Sequence, residues 1–171
     1  MSNRYKSRVV RESALGLTVT KQITPVTNVY NSLFTITGGL IAVTALVGEV
    51  TTIIANTASL TAKLQATPSG GSAGDLCAAT GITNDAVGTL YSLTSTVATD
   101  LMNVQSVSAI GGTPVAASEV PNVTYCPILW RPIVLRAGTV GLTISNHAIT
   151  GAIKWYMTYA PLVPGASVAA A

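Results

Sequence analysis

The sequence predicts an all-β protein: an antiparallel β-sandwich or jelly-roll-like domain with an extended basic N-terminal arm. Val, Ile and Thr make up 55 of the 171 residues, and β-branched side chains suit a pleated strand better than a helix. Short apolar runs recur between turn formers, without a helical period and without the alternation of strands and helices that marks a parallel sheet. The length fits one domain. We therefore assign residues 1–27 to the arm and residues 28–171 to a single β-sandwich domain.

Positive charge is concentrated in the N-terminal arm. Residues 1–21 hold five of the nine basic groups and one acid, a formal charge of +4, whereas the remaining residues hold four bases and five acids. This pattern favours an arm or first strand that docks on a partner, with a solvated terminus as the alternative. So few charges around Tyr5 are weak support for phosphate binding, and we expect no nucleic-acid partner. The candidate contact residues of the arm are Arg4, Lys6, Arg8, Arg11 and Lys21.

The first half of the domain shows three strand patterns. Residues 33–37 alternate and then meet Gly38-Gly39, whose tolerance of positive φ suits a tight turn. Residues 40–55 predict one long strand or two shorter ones, with Gly48 as a bulge position. Residues 59–66 alternate strictly between apolar and polar side chains, which predicts one buried face and one wet face.

The middle of the chain is less regular. Residues 67–74 are rich in Gly, Ser and Pro and predict an exposed loop. Residues 75–86 fit a helical turn or irregular structure, and residues 89–97 and 103–110 predict strands. Because proline cannot donate to a central ladder, edge strands and loops are expected around a group of four prolines: Pro114, Pro121, Pro127 and Pro132.

The last third has the clearest strand signals. A short run at 133–135, a turn at Ala137-Gly138 and a run at 140–145 precede the final run at 151–159. In that final run four large side chains share one face, which predicts a place in the core or at a subunit interface. They are Ile153, Trp155, Met157 and Tyr159.

The composition favours an assembly over an isolated soluble monomer. Only 9% of residues are charged and 49% are apolar, so much of the surface must be neutral, which is tolerated when neighbouring subunits cover it. The longest apolar stretch, residues 40–47, is far shorter than the roughly 20 residues that span a bilayer. We therefore expect neither a membrane segment nor a secretion signal.

No catalytic, metal-binding or cofactor-binding motif is present. His147 is the single histidine and has no sequence tie to a nucleophile, and the six carboxylates are scattered singly. No glycine pattern matches a nucleotide-binding loop. Cys77 and Cys126 are best interpreted as two buried thiols, with a disulfide between them left open. We predict that the protein is not an enzyme and has no cofactor.

Several segments of the chain resemble a family of small bacteriophage head proteins, the capsid decoration or cement proteins. Together these segments span roughly residues 30–165 and have no catalytic signature. They are residues 33–39, 43–52, 75–77, 88–92, 150–155 and 159–162.

This resemblance implies a trimer of β-sandwich or jelly-roll subunits seated on the outer surface of the capsid of a virion. The partner would be the phage major capsid protein, and the face of Ile153, Trp155, Met157 and Tyr159 would form the core or the trimer seam. A tail, neck or baseplate subunit would share these features. A glycan-binding β-sandwich module is the alternative of another class, although the chain has few aromatic residues for sugar stacking.

Overall fold

In a computed structural model the protein is an antiparallel sandwich of two β-sheets. The structure describes residues 16–24, 30–55, 59–93, 132–145 and 150–171, together with the backbone of residues 102–105, and these residues form no helix. The first sheet contains β1 (Leu17–Ile23), β3 (Ile41–Ala55), β7 (Leu90–Leu93), β8 (Met102–Gln105), β9 (Ile133–Leu135) and β11 (Thr150–Pro161). The second contains β2 (Tyr30–Thr37), β4 (Thr61–Pro68), β5 (Gly74–Asp75), β6 (Thr80–Gly81), β10 (Gly138–Ser145) and β12 (Ser167–Ala170). The predicted all-β sandwich is confirmed.

The chain crosses repeatedly between the sheets. The first sheet has the order β1-β11-β3-β7-β8, with β9 also paired to β3, and the second has the order β12-β2-β10-β4-β5, with β6 also paired to β4. Consecutive strands β1 to β4 alternate between the sheets, so most neighbours within a sheet are distant in sequence. With this strand connectivity, the two sheets depend on each other for folding.

The core lies between the sheets and follows the period of two along each strand. The predicted alternation of residues 59–66 is confirmed: Leu60, Ala62 and Leu64 are buried and Ala66 packs against the core. Thr61, Lys63 and Gln65 form the partly exposed opposite face. Burial of apolar side chains at about 25 cal/mol per Å² is the main force holding the sheets together.

The longest strand pairing in the first sheet joins β3 to β11. Residues 41–55 form one continuous strand of 15 residues, so the prediction of a single long strand is confirmed over that of two shorter ones. The predicted bulge at Gly48 is wrong, because Gly48 pairs in register with Trp155. The irregularities lie on either side of it, between Thr158 and Tyr159 and along the first residues of β11.

Two predicted connections have different outcomes. Gly38 and Gly39 form a turn with φ of 74° and 137°, as predicted, and the turn carries the chain from the second sheet to the first. No helical turn forms in residues 75–86, where the structure has the end of β5, the short strand β6 and turns. Pairing of β5 and β6 with β4 satisfies backbone groups that a helical turn would satisfy internally.

Part of the predicted arm belongs to the sandwich. Residues 17–23 form β1, which pairs along its whole length with β11 from Leu17–Tyr159 to Ile23–Ile153. Leu17, Val19 and Ile23 pack against the core. Residues 1–15 and 25–29 lie outside the described residues, as do Pro114, Pro121 and Pro127.

Candidate interaction surface

The four residues predicted for the core or the trimer seam lie in the core. Ile153, Trp155 and Met157 have no exposed surface, and Tyr159 is 4% exposed. The Tyr159 hydroxyl accepts a hydrogen bond of 3.2 Å from the backbone N–H of Val168, which ties β11 to β12 of the opposite sheet. These side chains face the second sheet, so the surface that β11 offers to a partner is its other face.

That outer face of β11 carries a polar cluster. The Tyr156 hydroxyl donates to Glu49 Oε2 on β3 at 3.0 Å, and Lys154 Nζ lies 5.2 Å from the centroid of the Tyr156 ring, within the range of a cation–π contact. On the flanking strand Gln22 Nε2 donates to Thr51 Oγ1 at 3.3 Å. The middle of the first sheet therefore offers a neutral, hydrogen-bonding surface around one tyrosine.

Of the five basic arm residues, only Lys21 lies within the described residues. It sits in β1, and its Nζ donates to the backbone oxygen of Ala171. Ala171 is held in turn on the second sheet, where its N–H donates to Leu33 O at 3.0 Å. Lys21 thus connects the edges of the two sheets. Arg4, Lys6, Arg8 and Arg11 lie outside the described residues.

The described carboxylates Glu49, Asp75 and Asp85 each have their own hydrogen-bond partners and do not form a shared site. Asp75 accepts from Lys63 Nζ at 2.9 Å and from Gln65 Nε2 at 2.5 Å. The hydrogen bonds from Lys63 and Gln65 lower the pKa of Asp75. No group of three His, Cys, Asp or Glu side chains suited to a metal ion occurs in the part of the chain that the structure describes.

Asp85 and Tyr91 form a second, more buried pair. The Tyr91 hydroxyl donates to Asp85 Oδ2 at 2.6 Å, and burial raises the pKa of the Asp85 carboxyl. Burial and the hydrogen bond to Asp85 also raise the pKa of the Tyr91 phenol. His147, the histidine considered for catalysis, lies outside the described residues together with Glu12, Asp100 and Glu119.

Cys77 is a buried free thiol. Its Sγ accepts a hydrogen bond from the backbone N–H of Leu64 at 3.1 Å. Burial raises the pKa of the thiol, which keeps it in the unreactive protonated form. Cys126 lies outside the described residues, so its state and any pairing stay a prediction.

An exposed apolar surface at one end of the first sheet was missed by sequence reasoning. Four of the six large exposed apolar side chains of the described residues meet there, and the other two, Ile53 and Val87, lie elsewhere. Finding it from sequence would have required the register of three strands that are far apart in the chain. We call this surface the apolar end; its exposed side chains are Leu40, Val134, Leu162 and Val163, and the paired residues Ala42, which is buried, and Ala160, which is partly exposed, lie beside them.

Cross-strand pairing brings the members of the apolar end together. Ala42 pairs with Val134 on one side and with Ala160 on the other. The N–H of Leu162 donates to Leu40 O at 2.9 Å, and both residues lie two positions from the Ala42–Ala160 pair, toward the end of the sheet. Val134 is 55% exposed and Leu162 is 52% exposed, so a partner could cover both.

Comparisons with known proteins do not place the chain in a family. No family model matches it, and neither a curated protein nor a solved structure matches it. Among the described residues, no helix has the length and apolarity to cross a bilayer.

Proposed function

We propose that the chain is a non-catalytic virion structural protein that decorates and stabilises a phage capsid from its outer surface by binding the major capsid protein. It acts as a homotrimer in this proposal. The observation that carries the proposal is the order of the strands, taken together with the family resemblance of the sequence.

The strand order supports a jelly roll. Four strand pairs are nested in sequence, as they would be along a single long antiparallel hairpin. They are β1–β11, β2–β10, β3–β7 and β4–β5. Two further contacts, β11–β3 and β10–β4, close that hairpin on itself into two facing sheets. Jelly rolls of this kind recur in viral capsid proteins and in lectins. A fold alone does not define a function, so the surfaces decide between these two classes.

The surface favours a structural subunit. The outer face of the first sheet pairs its described charges Glu49 and Lys154 around Tyr156, and an apolar end is left exposed. A subunit with such a surface stabilises a shell by binding the assembled form in preference to free capsid protein. Many identical contacts across the lattice add to this effect through multivalency.

Copurification tests the proposal. Intact particles from the source of the chain are banded on a density gradient, and the copy number of the protein per particle is measured by quantitative mass spectrometry. A fixed stoichiometry in heads separated from tails supports the proposal, whereas enrichment in tails would assign the chain to a tail, neck or baseplate. Absence from particles, with a stable monomer that has no affinity for capsid protein, would overturn it.

A glycan-binding module is the second candidate, favoured by the polar cluster around Tyr156. Tyrosine rings with neighbouring carboxylate, ammonium and amide groups can stack on and hydrogen-bond to sugars, and Glu49, Lys154 and Gln22 provide these three groups. The Tyr156 ring, however, already has Lys154 at cation–π distance. A glycan array with selective hits that disappear in Tyr156→Ala would support this candidate, and an array without hits would remove it.

A further inference from the structure

We infer that Lys21 prevents the outer edge of β1 from pairing with the β1 strand of a second copy of the chain. The ammonium group of Lys21, held at the margin of the core, makes such a pairing unfavourable. This inference does not depend on the proposed function, because it concerns only one edge of the first sheet. It gives Lys21 a role that its place among the basic residues of the arm does not predict.

Strand β1 has the backbone geometry of a sheet edge that can accept another strand. Among the strands that the structure describes, only β11 pairs with it. Its seven residues pair in continuous register from Leu17 to Ile23, without a bulge and without a proline. The backbone N–H and C=O groups on its other side are therefore placed to form hydrogen bonds with an incoming strand.

Other edge strands of the described sandwich are protected in ways that β1 is not. Strands β5 and β6 have two residues each, and β12 has four. In β12, moreover, the backbone N–H of Val168 donates to the Tyr159 hydroxyl at 3.2 Å, so this donor is not available to another strand. Short strands and irregular edges discourage pairing. Because β1 is long and regular, its protection has to come from its side chains.

The side chain of Lys21 is on the core side of β1. Successive side chains of a strand point to opposite faces, so Lys21 shares its face with Leu17 and Val19, which pack against the core. Its partner across the β1–β11 pairing is Trp155, which has no exposed surface. Lys21 itself is half-buried, and its Nζ donates to the backbone oxygen of Ala171 at the edge of the second sheet.

A second copy of β1 matches this edge in length and, with one exception, in side-chain pattern. In an antiparallel pair of β1 strands centred on Thr20, Leu17 lies opposite Ile23 on the core side, so apolar groups meet apolar groups. The outer side brings together hydroxyl and amide side chains. The exception is Lys21, which lies opposite Val19 on the core side.

The ammonium group of Lys21 opposes this pairing because it would lose water. Two paired copies of β1 extend the first sheet and join the core-facing sides of two sandwiches, so water no longer reaches Lys21 Nζ from the open edge. A charged group that is removed from water needs an opposite charge or several hydrogen-bond partners in exchange, and a second β1 supplies apolar side chains and another lysine. Inward-pointing charges on edge strands are one means by which sheets avoid edge-to-edge association.

Lys21→Met tests the inference, because methionine keeps an unbranched side chain of similar length and removes the charge. Lys21→Arg keeps the charge at the same position. Lys154→Met is the matched control, because it removes one positive charge from β11 of the same sheet, on the outer face beside Tyr156. Each full-length variant is first compared with the parent protein by thermal unfolding. Its mass is then measured by sedimentation velocity over a range of concentrations, and hydrogen–deuterium exchange is measured for the backbone amides of residues 17–23.

We expect folded Lys21→Met to associate beyond the oligomeric state of the parent protein, at concentrations lower by about tenfold or more than the parent requires. Lys21→Arg and Lys154→Met should keep the state of the parent. In the parent protein, the amides of β1 that point away from β11 should exchange fast, and in assembled Lys21→Met they should exchange slowly.

Two results with the variants would overturn the inference: a folded Lys21→Met that associates no more than the parent, or equal association by Lys154→Met. Association of Lys21→Met without slower exchange in residues 17–23 would also overturn it, because the contact would then lie elsewhere. A further test needs only the parent protein. Uniformly slow exchange across β1 in the parent would show that this edge is already covered and that Lys21 does not keep it open.

Discussion

The indole of Trp155 lies directly over Gly48, its partner across the β3–β11 pairing. An added Cβ on Gly48 would be 2.9 Å from Cη2 and Cζ2 of the indole, closer than side-chain atoms pack. Because Gly48 has no side chain, the ring extends across β3 and stacks on Tyr91 of β7, with centroids 6.3 Å apart and planes inclined by 22°. The absence of a side chain at Gly48 thus allows aromatic rings from β11 and β7 to stack across β3.

Gly48→Ala should destabilise the protein by about 1–3 kcal/mol, the usual cost of an overpacked core. The added methyl group must displace a ring that has no exposed surface, so the stack on Tyr91 opens as well. Chemical denaturation measures the free energy of unfolding, and near-UV circular dichroism reports the environment of the tryptophan.

Gly74→Ala is the matched control for this substitution. Gly74 is exposed, and an added Cβ there has no atom within 4 Å. We expect no loss of stability, or a slight gain from reduced freedom of the unfolded chain. Equal losses at both glycines would contradict a cost that is specific to the contact with Trp155.

The Gly48–Trp155 contact shows why sequence predicted the faces of the strands but not their partners. Alternation placed Trp155 and Met157 on one face because the period of two is local. The role of Gly48 depends on a strand that begins about 100 residues later, and no local pattern contains that register. The same limit explains the missed apolar end, where Leu40, Val134 and Leu162 come together only after three strands pair.

Tyr91→Phe should cost about 1 kcal/mol at neutral pH, because the hydrogen bond to Asp85 is lost while the carboxyl is only partly buried. Burial raises the pKa of Asp85 above its ordinary value. The stability that the protonated carboxyl contributes is therefore fully present below the pKa of the unfolded chain and is lost as the pH rises through the pKa of the folded protein. The Tyr91 hydroxyl opposes this loss by lowering the same pKa. The cost of Tyr91→Phe should therefore grow as pH rises from the acid range, as measured by urea unfolding at several pH values.

Asp85→Asn isolates the titration behind that pH dependence. Asparagine has no carboxyl to ionise, so the cost of Tyr91→Phe should become independent of pH in the Asp85→Asn background. The difference between the two backgrounds is a double-mutant cycle for the pair. A pH-dependent cost that persists in that background would assign the effect to another group.

Cys77 should react with thiol reagents only when the protein unfolds. Its side chain is 3% exposed, and burial raises the pKa of the thiol, so little thiolate is present or accessible in the folded state. In a Cys126→Ser variant, labelling with a chromogenic disulfide at mildly alkaline pH should be slow and should accelerate through the urea transition. Fast labelling of the folded variant would contradict the packing around Leu64.

Truncation of the N-terminus separates binding from folding, and the structure defines where to cut. Removing residues 1–21 would delete five of the seven residues of β1, including Leu17 and Val19 from the core margin, and would break the link from Lys21 to Ala171. Loss of particle binding by that truncation would therefore have two explanations. Removing residues 1–15 deletes Arg4, Lys6, Arg8 and Arg11 and leaves β1 intact.

We expect the shorter truncation to unfold at nearly the same temperature as the full chain, because no described strand is removed. Its binding to intact particles from which the native protein has been removed should weaken strongly. This binding should also lose most of its dependence on ionic strength, since the main cluster of positive charge is gone. Replacing the four basic residues by Gln in the full-length chain should reproduce this loss if charge is the cause. Unchanged binding by both proteins would show that the basic segment has no part in docking. Docking would then depend on the surface of the sandwich only.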